Sequence, residues 1–339
     1  MRSGAQRFAF GRGIALSLEG KPGVMRHFEA EYGPAAVPAA GDSADVVVVF
    51  EDGRELGDGD LTLRGGYKTA RWQVALSSPG EHPLRARIAL AGRPLSFGLS
   101  LVQGYFVEAL LAVAAARKGQ VLLPSAAIEQ NGGALLLMGP SRSGKSSLSA
   151  RALAGGRTVL GDDQVLVDAR ARCWPFPRRL RVYSDLRETA PMAYARLPAA
   201  IRAGLAGRKA VRRLTRGYIA PPVRVSFSQL GQRAAPASLP IVRVVLVERS
   251  RTAESLMDAA LEIDSAIAHA VDLLERQRAH LESARDDAWA ESLRRTRADE
   301  ASILQETFAK APLQHLLVPE QWGAAHAVTT LARELGMDP

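Results

Sequence analysis

Residues 134–147 read Ala-Leu-Leu-Leu-Met-Gly-Pro-Ser-Arg-Ser-Gly-Lys-Ser-Ser: an apolar run, a loop bounded by glycines, and the start of a helical segment. The loop meets the pattern G-x-x-x-x-G-K-[ST] at every fixed position. It runs from Gly139 through Pro140, Ser141, Arg142, Ser143, Gly144 and Lys145 to Ser146, with Ser147 following. Such a loop needs a strand to feed it and a helix to leave it, so it constrains the fold more than any other stretch. Its backbone N–H groups turn inward around phosphate oxygens, Lys145 reaches the outer phosphates, and the Ser146 hydroxyl is a ligand for Mg²⁺. The helix that follows adds orphan N–H groups and a positive dipole end. Both flanks have the required character. Ala134–Met138 has the length of a buried strand, and Ser147–Ala154 is helix-compatible and stops at Gly155-Gly156. The expected ligand is a nucleoside phosphate, ATP with Mg²⁺.

A second stretch narrows this. Asp162 and Asp163 come 17 and 18 residues after Lys145, at the end of the apolar run Val159–Gly161. A strand–loop–helix–strand unit returns parallel to its first strand. Ligands in such sheets lie at the carboxyl ends of the strands. The pair is therefore expected to face the metal and the γ-phosphate.

The flanking regions are less informative. Residues 1–103 carry short apolar runs at Ala44–Phe50, Ala70–Ala75, Leu84–Leu90 and Leu95–Leu101. Turn dipeptides separate them at Asp52-Gly53, Gly57–Gly59, Gly65-Gly66 and Pro79-Gly80. They predict a small β-rich N-terminal domain of recognition type, followed by a catalytic domain over residues 104–339. Tyr105–Lys118 has helical spacing. Val121–Ile128 and Ala134–Met138 read as a hairpin closed at Asn131-Gly132. Arg178–Val182, Val223–Phe227 and Ile241–Val247 read as strands, and the Ala/Arg-rich Leu197–Leu214 as either a helix or a mobile segment. From Ala253 to about Ala311 the pattern is helical, Leu316–Val318 reads as an edge strand, and Pro319–Leu335 closes with a helix. His27, His82, His269 and His280 stand apart from one another and read as packing or surface residues. The fold class expected is α/β, α+β overall.

Charge is uneven. Of a net +9, residues 174–251 hold fifteen arginines and Lys209 against Asp185, Glu188 and Glu248. That basic middle suggests an anionic ligand, or else a solvated arginine-rich surface. No aromatic platform is interleaved with it, so nucleic acid is not the expected partner. One cysteine, Cys173, excludes an intramolecular disulfide and a cysteine-built metal site. Met1–Gly20 lacks the apolar core of a secretory signal, and the apolar stretch near Ala109–Ala116 is too short to span a bilayer. A cytoplasmic protein without membrane attachment is expected. The long helices after Ala253 offer surfaces on which copies could associate.

The segment Val121–Val167 resembles the catalytic core of the HPr kinase/phosphorylase superfamily, which is related to the ATP-dependent phosphoenolpyruvate carboxykinases. The likeness rests on the hairpin ending in Asn131-Gly132, the loop Gly139–Ser147, and the closely following Asp162-Asp163. Looser likeness extends to Trp174–Arg178 and Leu239–Arg249. The resemblance implies that Lys145 binds the β- and γ-phosphates and that Ser146 and one aspartate hold Mg²⁺. The other aspartate takes the proton of an attacking hydroxyl. Asp162 is assigned to the base and Asp163 to the metal, although sequence does not fix their order. Arg142, Arg224 and Arg243 are candidates to reach the γ-phosphate. Two positions depart from the family. Pro124-Ser125 stands where the core histidine is expected, which argues against the reverse dephosphorylation and against HPr as acceptor. Arg142 stands where glycine is common.

The expected activity is transfer of the γ-phosphoryl group to a hydroxyl of a protein, a peptide or a small molecule. The alternative is a nucleotide-dependent switch that transfers nothing.

Overall fold

The computed structural model describes residues 4–38, 44–51, 56, 61–216, 222–232 and 234–337. Asp52-Gly53 and Gly57–Gly59 lie outside the described residues. In chain order the elements begin with β1 (Gly4–Phe10), β2 (Ile14–Gly20), α1 (Pro22–Tyr32), β3 (Ala36–Val37) and β4 (Val46–Glu51). There follow β5 (Leu61–Tyr67), β6 (Ala70–Leu76), β7 (Leu84–Ala91), α2 (Leu95–Val102), α3 (Glu108–Arg117) and β8 (Gln120–Leu123). The chain continues with β9 (Ala126–Gln130), β10 (Gly133–Met138), α4 (Lys145–Ala154), β11 (Val159–Gly161), β12 (Val165–Asp168) and β13 (Arg172–Trp174). Next come β14 (Leu180–Val182), α5 (Leu186–Thr189), α6 (Pro191–Arg196), α7 (Ala199–Leu214), β15 (Val223–Val225) and β16 (Leu239–Ser250). The last are β17 (Met257–Ala259), α8 (Ile263–Glu282), α9 (Asp287–Phe308), β18 (Leu313–Pro319) and α10 (Ala324–Glu334). Helices and mixed sheets make the protein α/β overall.

The chain divides into two compact units. One comprises residues 1–123, 166–170 and 270–306. Its sheet has the order β3-β1-β2-β4-β7-β6-β5, with β2, β4 and β7 parallel to one another and hairpins at either side. In β4 the run Val-Val-Val-Val-Phe-Glu alternates buried and half-buried, the period-two signature of a strand with one face on a core. Phe8, Phe10, Phe28 and Tyr32 fill that core with edge and tilted ring contacts. His27 is a packing histidine whose Nε2 lies 2.9 Å from Gln103 Oε1. Tyr32 and Gln103 both donate to the buried carboxylate of Glu108.

Two expectations fail in this unit, and a third fails where the chain approaches α8. Leu95–Leu101 is not a strand but helix α2: Leu95, Phe97, Leu99 and Leu101 alternate with Ser96, Gly98 and Ser100 at the strand period, and tertiary packing that buries Gly98, Leu99 and Val102 overrides that local pattern. Through a π-helical turn at Gln103–Val107 it continues into α3. The joined helix, Leu95–Arg117, is long and apolar enough to cross a bilayer, which the eight residues Ala109–Ala116 alone are not. Its most apolar stretch is 78 % buried inside the protein. The helical pattern expected from Ala253 opens instead on strand β17, Met257–Ala259, and holds only from α8 onward. Leu256 and Ala260 precede α8, and α8 ends before α9 begins at Asp287.

The second unit comprises residues 124–165, 171–269 and 307–339 and contains the phosphate-loop sequence. Its strands run in the order β11-β9-β10-β16, with β18 parallel to β16 and β17 antiparallel to β18. β10 is buried at all six positions, as expected of a strand flanked by a partner on each side. It pairs antiparallel with β9 and parallel with β16. The expected single run Val121–Ile128 is broken at Pro124-Ser125, so that β9 alone forms the hairpin with β10. Asn131 and Gly132, at φ 52° and 77°, supply the two left-handed positions of a type I′ turn. β18 is not an edge strand: β17 covers its far side.

Candidate phosphate-loop site

The hairpin delivers the carboxyl end of β10 to Gly139, and six residues later α4 begins. Three residues in this interval take left-handed backbone: Gly139 (φ 141°), Arg142 (φ 71°) and Gly144 (φ 104°). At Gly139 a side chain is also excluded by space, since a Cβ there would lie 2.2 Å from the carbonyl oxygen of Val247 on β16. Gly144 is the N-cap of α4, and no side chain caps the helix. Arg142 carries a non-glycine side chain at a backbone conformation that favours glycine.

Lys145 folds back over the loop. Its Nζ donates to the carbonyls of Gly139 (2.7 Å) and Pro140 (2.8 Å) and to Ser143 Oγ (3.1 Å). Burial lowers its pKa, opposed by the charges of Asp162 and Asp163. Behind the loop, Ser147 donates to Thr189 Oγ1, and Arg151 donates from Nε to the Thr189 carbonyl and from Nη2 to Thr329. These contacts fix the first two turns of α4 against α5 and α10.

β11 and β10 are both antiparallel to β9, so they point the same way and end at the same sheet edge, with β9 between them. The turn after β11 is tight: a Cβ on Gly161 would meet the Gln164 carbonyl at 2.1 Å. It separates the two aspartates. Asp162 is 2 % exposed, and among the described residues no donor bonds to either of its oxygens. The hydroxyls of Ser149 and Ser146 and the charge of Lys145 favour its ionised form. Burial and the charge of Asp163 outweigh them and push its pKa up to about 7. Ser149 Oγ is likewise buried without a hydrogen bond.

Asp163 turns instead toward arginines, 3.3 Å from Arg181 Nε and 3.8 Å from Arg178 Nη1. Arg181 lies on β14, directly across from Arg224 on β15. Tyr183 follows on the same segment. Its pKa is raised by burial and by Asp163, with Arg142 opposing. Sequence reasoning did not single out Arg178, Arg181, Tyr183 or Ser149; the near-continuous run Arg178–Tyr183 after Pro177 was the available signal.

Arg243 is elsewhere. It pairs in register with Leu135, near the start of β10, and its guanidinium reaches Gln314, Gln130 and the Leu335 carbonyl. At Ser125, where the family histidine is expected, the hydroxyl is buried and donates to the carbonyls of Ala126 and Leu137. That position is structural.

The donor set of Ser146, Asp162 and Asp163 is all oxygen, which suits a hard cation. The unpaired oxygens of Asp162 are the kind of buried group that an ion or a substrate proton would satisfy. Among the described residues no group of three or more His, Cys, Asp or Glu could hold a metal alone. Compared with known proteins, the chain matches no family model and no curated protein.

Proposed function

We propose that the protein is an ATP- and Mg²⁺-dependent kinase that transfers the γ-phosphoryl group to a hydroxyl. The observation that carries this reading is Asp162: a buried carboxylate at the carboxyl edge of the sheet, whose ionised form is favoured by the Lys145 charge and the hydroxyls of Ser149 and Ser146. The loop Gly139–Ser147 and its resemblance to the HPr kinase core supply the donor side. Mg²⁺, held by Ser146 and an aspartate, would offset charge on the phosphates. Lys145 would exchange its loop carbonyls for phosphate oxygens. Asp162, with a pKa near neutrality, suits the removal of the acceptor proton. The acceptor oxygen forms the new bond to phosphorus, the bond to the β-phosphate oxygen breaks, and ADP leaves. Arg178, Arg181 and Arg142 add positive charge around the transferring group.

A second reading of the pair is favoured by the Ser146 hydroxyl facing Asp162: Asp162 holds the metal, and Asp163, between its arginines, receives the proton. The two readings separate in one experiment. The protein is incubated with γ-labelled ATP, Mg²⁺ and a lysate of its host, alongside Lys145→Ala, Asp162→Asn and Asp163→Asn. Label on a discrete acceptor with wild type only supports the kinase. ATP binding without transfer would leave a nucleotide-dependent switch. The base variant keeps Mg²⁺-dependent ATP binding and loses transfer, whereas the metal variant loses the Mg²⁺ dependence.

A further inference from the structure

From Thr189 to Val247 the sequence contains neither aspartate nor glutamate. Within this span α7 carries Arg202, Arg208, Lys209, Arg212 and Arg213, and Arg216 stands just past its end. Lys209, Arg212, Arg213 and Arg216 recur at three- and four-residue steps and are all exposed, so they line one side of the helix. Two local effects account for part of this charge. Lys209 pairs with Glu188 at 3.1 Å. The helix C-terminus favours cations in its last turn. Among the described residues no acid pairs with Arg202, Arg208, Arg212, Arg213 or Arg216.

α7 is anchored to the same unit as the candidate site. Leu205 is buried in a cluster with Leu186, Val225 and Leu230. Val225 is on β15, which pairs with β14, and β14 carries the Arg181 that contacts Asp163. Arg181 and Arg224 stand opposite each other in register on these two strands. Lys209 of α7 reaches Glu188 on α5, and the next residue, Thr189, bonds Ser147 and Arg151 of α4, so the basic helix is tied to the helix that follows the loop.

We propose that the basic side of α7 binds an acidic peptide segment, and that the phosphoacceptor hydroxyl is presented on it. The proposal rests on the phosphoryl-transfer reading and names its substrate class: a serine or threonine flanked by aspartate or glutamate. Charge complementarity selects this occupant. The other face of α7 offers Ala203, Ala206, Ala210, Val211 and Leu214, of which only Leu214 is large and strongly exposed, at 85 %. Helices that lie in a membrane insert aromatic and leucine side chains in number. α7 has no aromatic residue on which bases could stack.

The test uses the full chain and a fluorescein-labelled peptide of alternating glutamate and serine, read by anisotropy and by transfer from γ-labelled ATP. Wild type is expected to bind the peptide with an affinity that falls as salt rises, and to label it. The double variant Arg212→Glu, Arg213→Glu is expected to weaken peptide binding by about tenfold or more and to leave ATP binding unchanged. Both positions are exposed, so the fold is retained. Lys145→Ala should lose ATP binding and keep peptide binding. Peptide binding without any ATP binding by wild type would sink the kinase reading while leaving the surface. Failure to bind the peptide, or equal binding by the charge-reversed variant, would overturn the proposal. So would reversal-sensitive binding to phosphatidylserine vesicles or single-stranded RNA but not to the peptide.

Discussion

Lys145 and Asp162 lie within electrostatic reach of each other and share no hydrogen bond. The ammonium is committed to the carbonyls of Gly139 and Pro140 and to Ser143, and among the described residues no group within hydrogen-bond geometry donates to Asp162. Two opposite charges are thus held beside each other by the backbone, each short of its best partner. On the proposed reading a phosphate oxygen would draw Lys145 from these acceptors, and a cation or a proton would satisfy Asp162.

This has a pH signature. Folding raises the Asp162 pKa from 3.8 to about 7, so between these values the native state binds more protons than the unfolded chain. Its contribution therefore makes stability fall as pH rises through that window. Asp162→Asn should remove this slope and stabilise the ligand-free protein by roughly 2–4 kcal/mol at about pH 8. Urea midpoints at about pH 5 and about pH 8 check it; parallel shifts in the two proteins would contradict the assignment.

Gly139→Ala should be among the costlier single-methyl additions in the chain. The new Cβ meets the Val247 carbonyl, and φ is in the left-handed region. A loss of roughly 2–4 kcal/mol is expected, with weaker ATP binding because the loop must shift to escape the contact. Thermal melts and titration with a fluorescent ATP analogue read both effects.

Arg142→Gly tests the opposite case. Left-handed backbone costs an ordinary residue about 1–2 kcal/mol, partly offset by the larger unfolded-state freedom of glycine. The variant should melt no lower than wild type and above Arg142→Ala, which keeps the strain. If the guanidinium contacts phosphate, both variants bind ATP more weakly despite their different stabilities.

In the unit containing α8 and α9, Arg278 and Glu300 form an ion pair with side chains 0 % and 1 % exposed. Among the described residues Arg278 Nε and Nη2 have no hydrogen-bond partner. Glu300→Gln should cost about 3–5 kcal/mol, because it leaves a buried guanidinium uncompensated. Replacing both residues, Arg278→Met with Glu300→Leu, should recover most of that loss. Calorimetric melting of the single and double variants decides.

The parts of the fold that could be read in the sequence are those with local causes. The Asn131-Gly132 turn, the strand into Gly139, the helix after Gly144 and the parallel return to Asp162 each follow from neighbouring residues. Leu95–Leu101 misleads, since Leu95, Phe97, Leu99 and Leu101 alternate with Ser96, Gly98 and Ser100 at the strand period while the segment packs as a helix. The pairing of Asp163 with Arg178 and Arg181 was out of reach for another reason: it depends on where β14 packs, and nothing within 15 residues of Asp163 sets that. The buried face of α8, Ala266, Ala270, Leu274, Arg278 and Leu281, could not be read either, since it includes two alanines and an arginine.

The type I′ turn at Asn131-Gly132 also bears on how the site forms. Hairpins of this kind close within microseconds, long before distant strands such as β10 and β16 can meet. Their register is set by the turn, and a slip of one residue would invert every side chain of β10. Phosphate-loop placement is then decided early and from the far end of the strand. A one-residue deletion between Gln130 and Gly133 would misplace Gly139 against Val247 without touching a single loop residue.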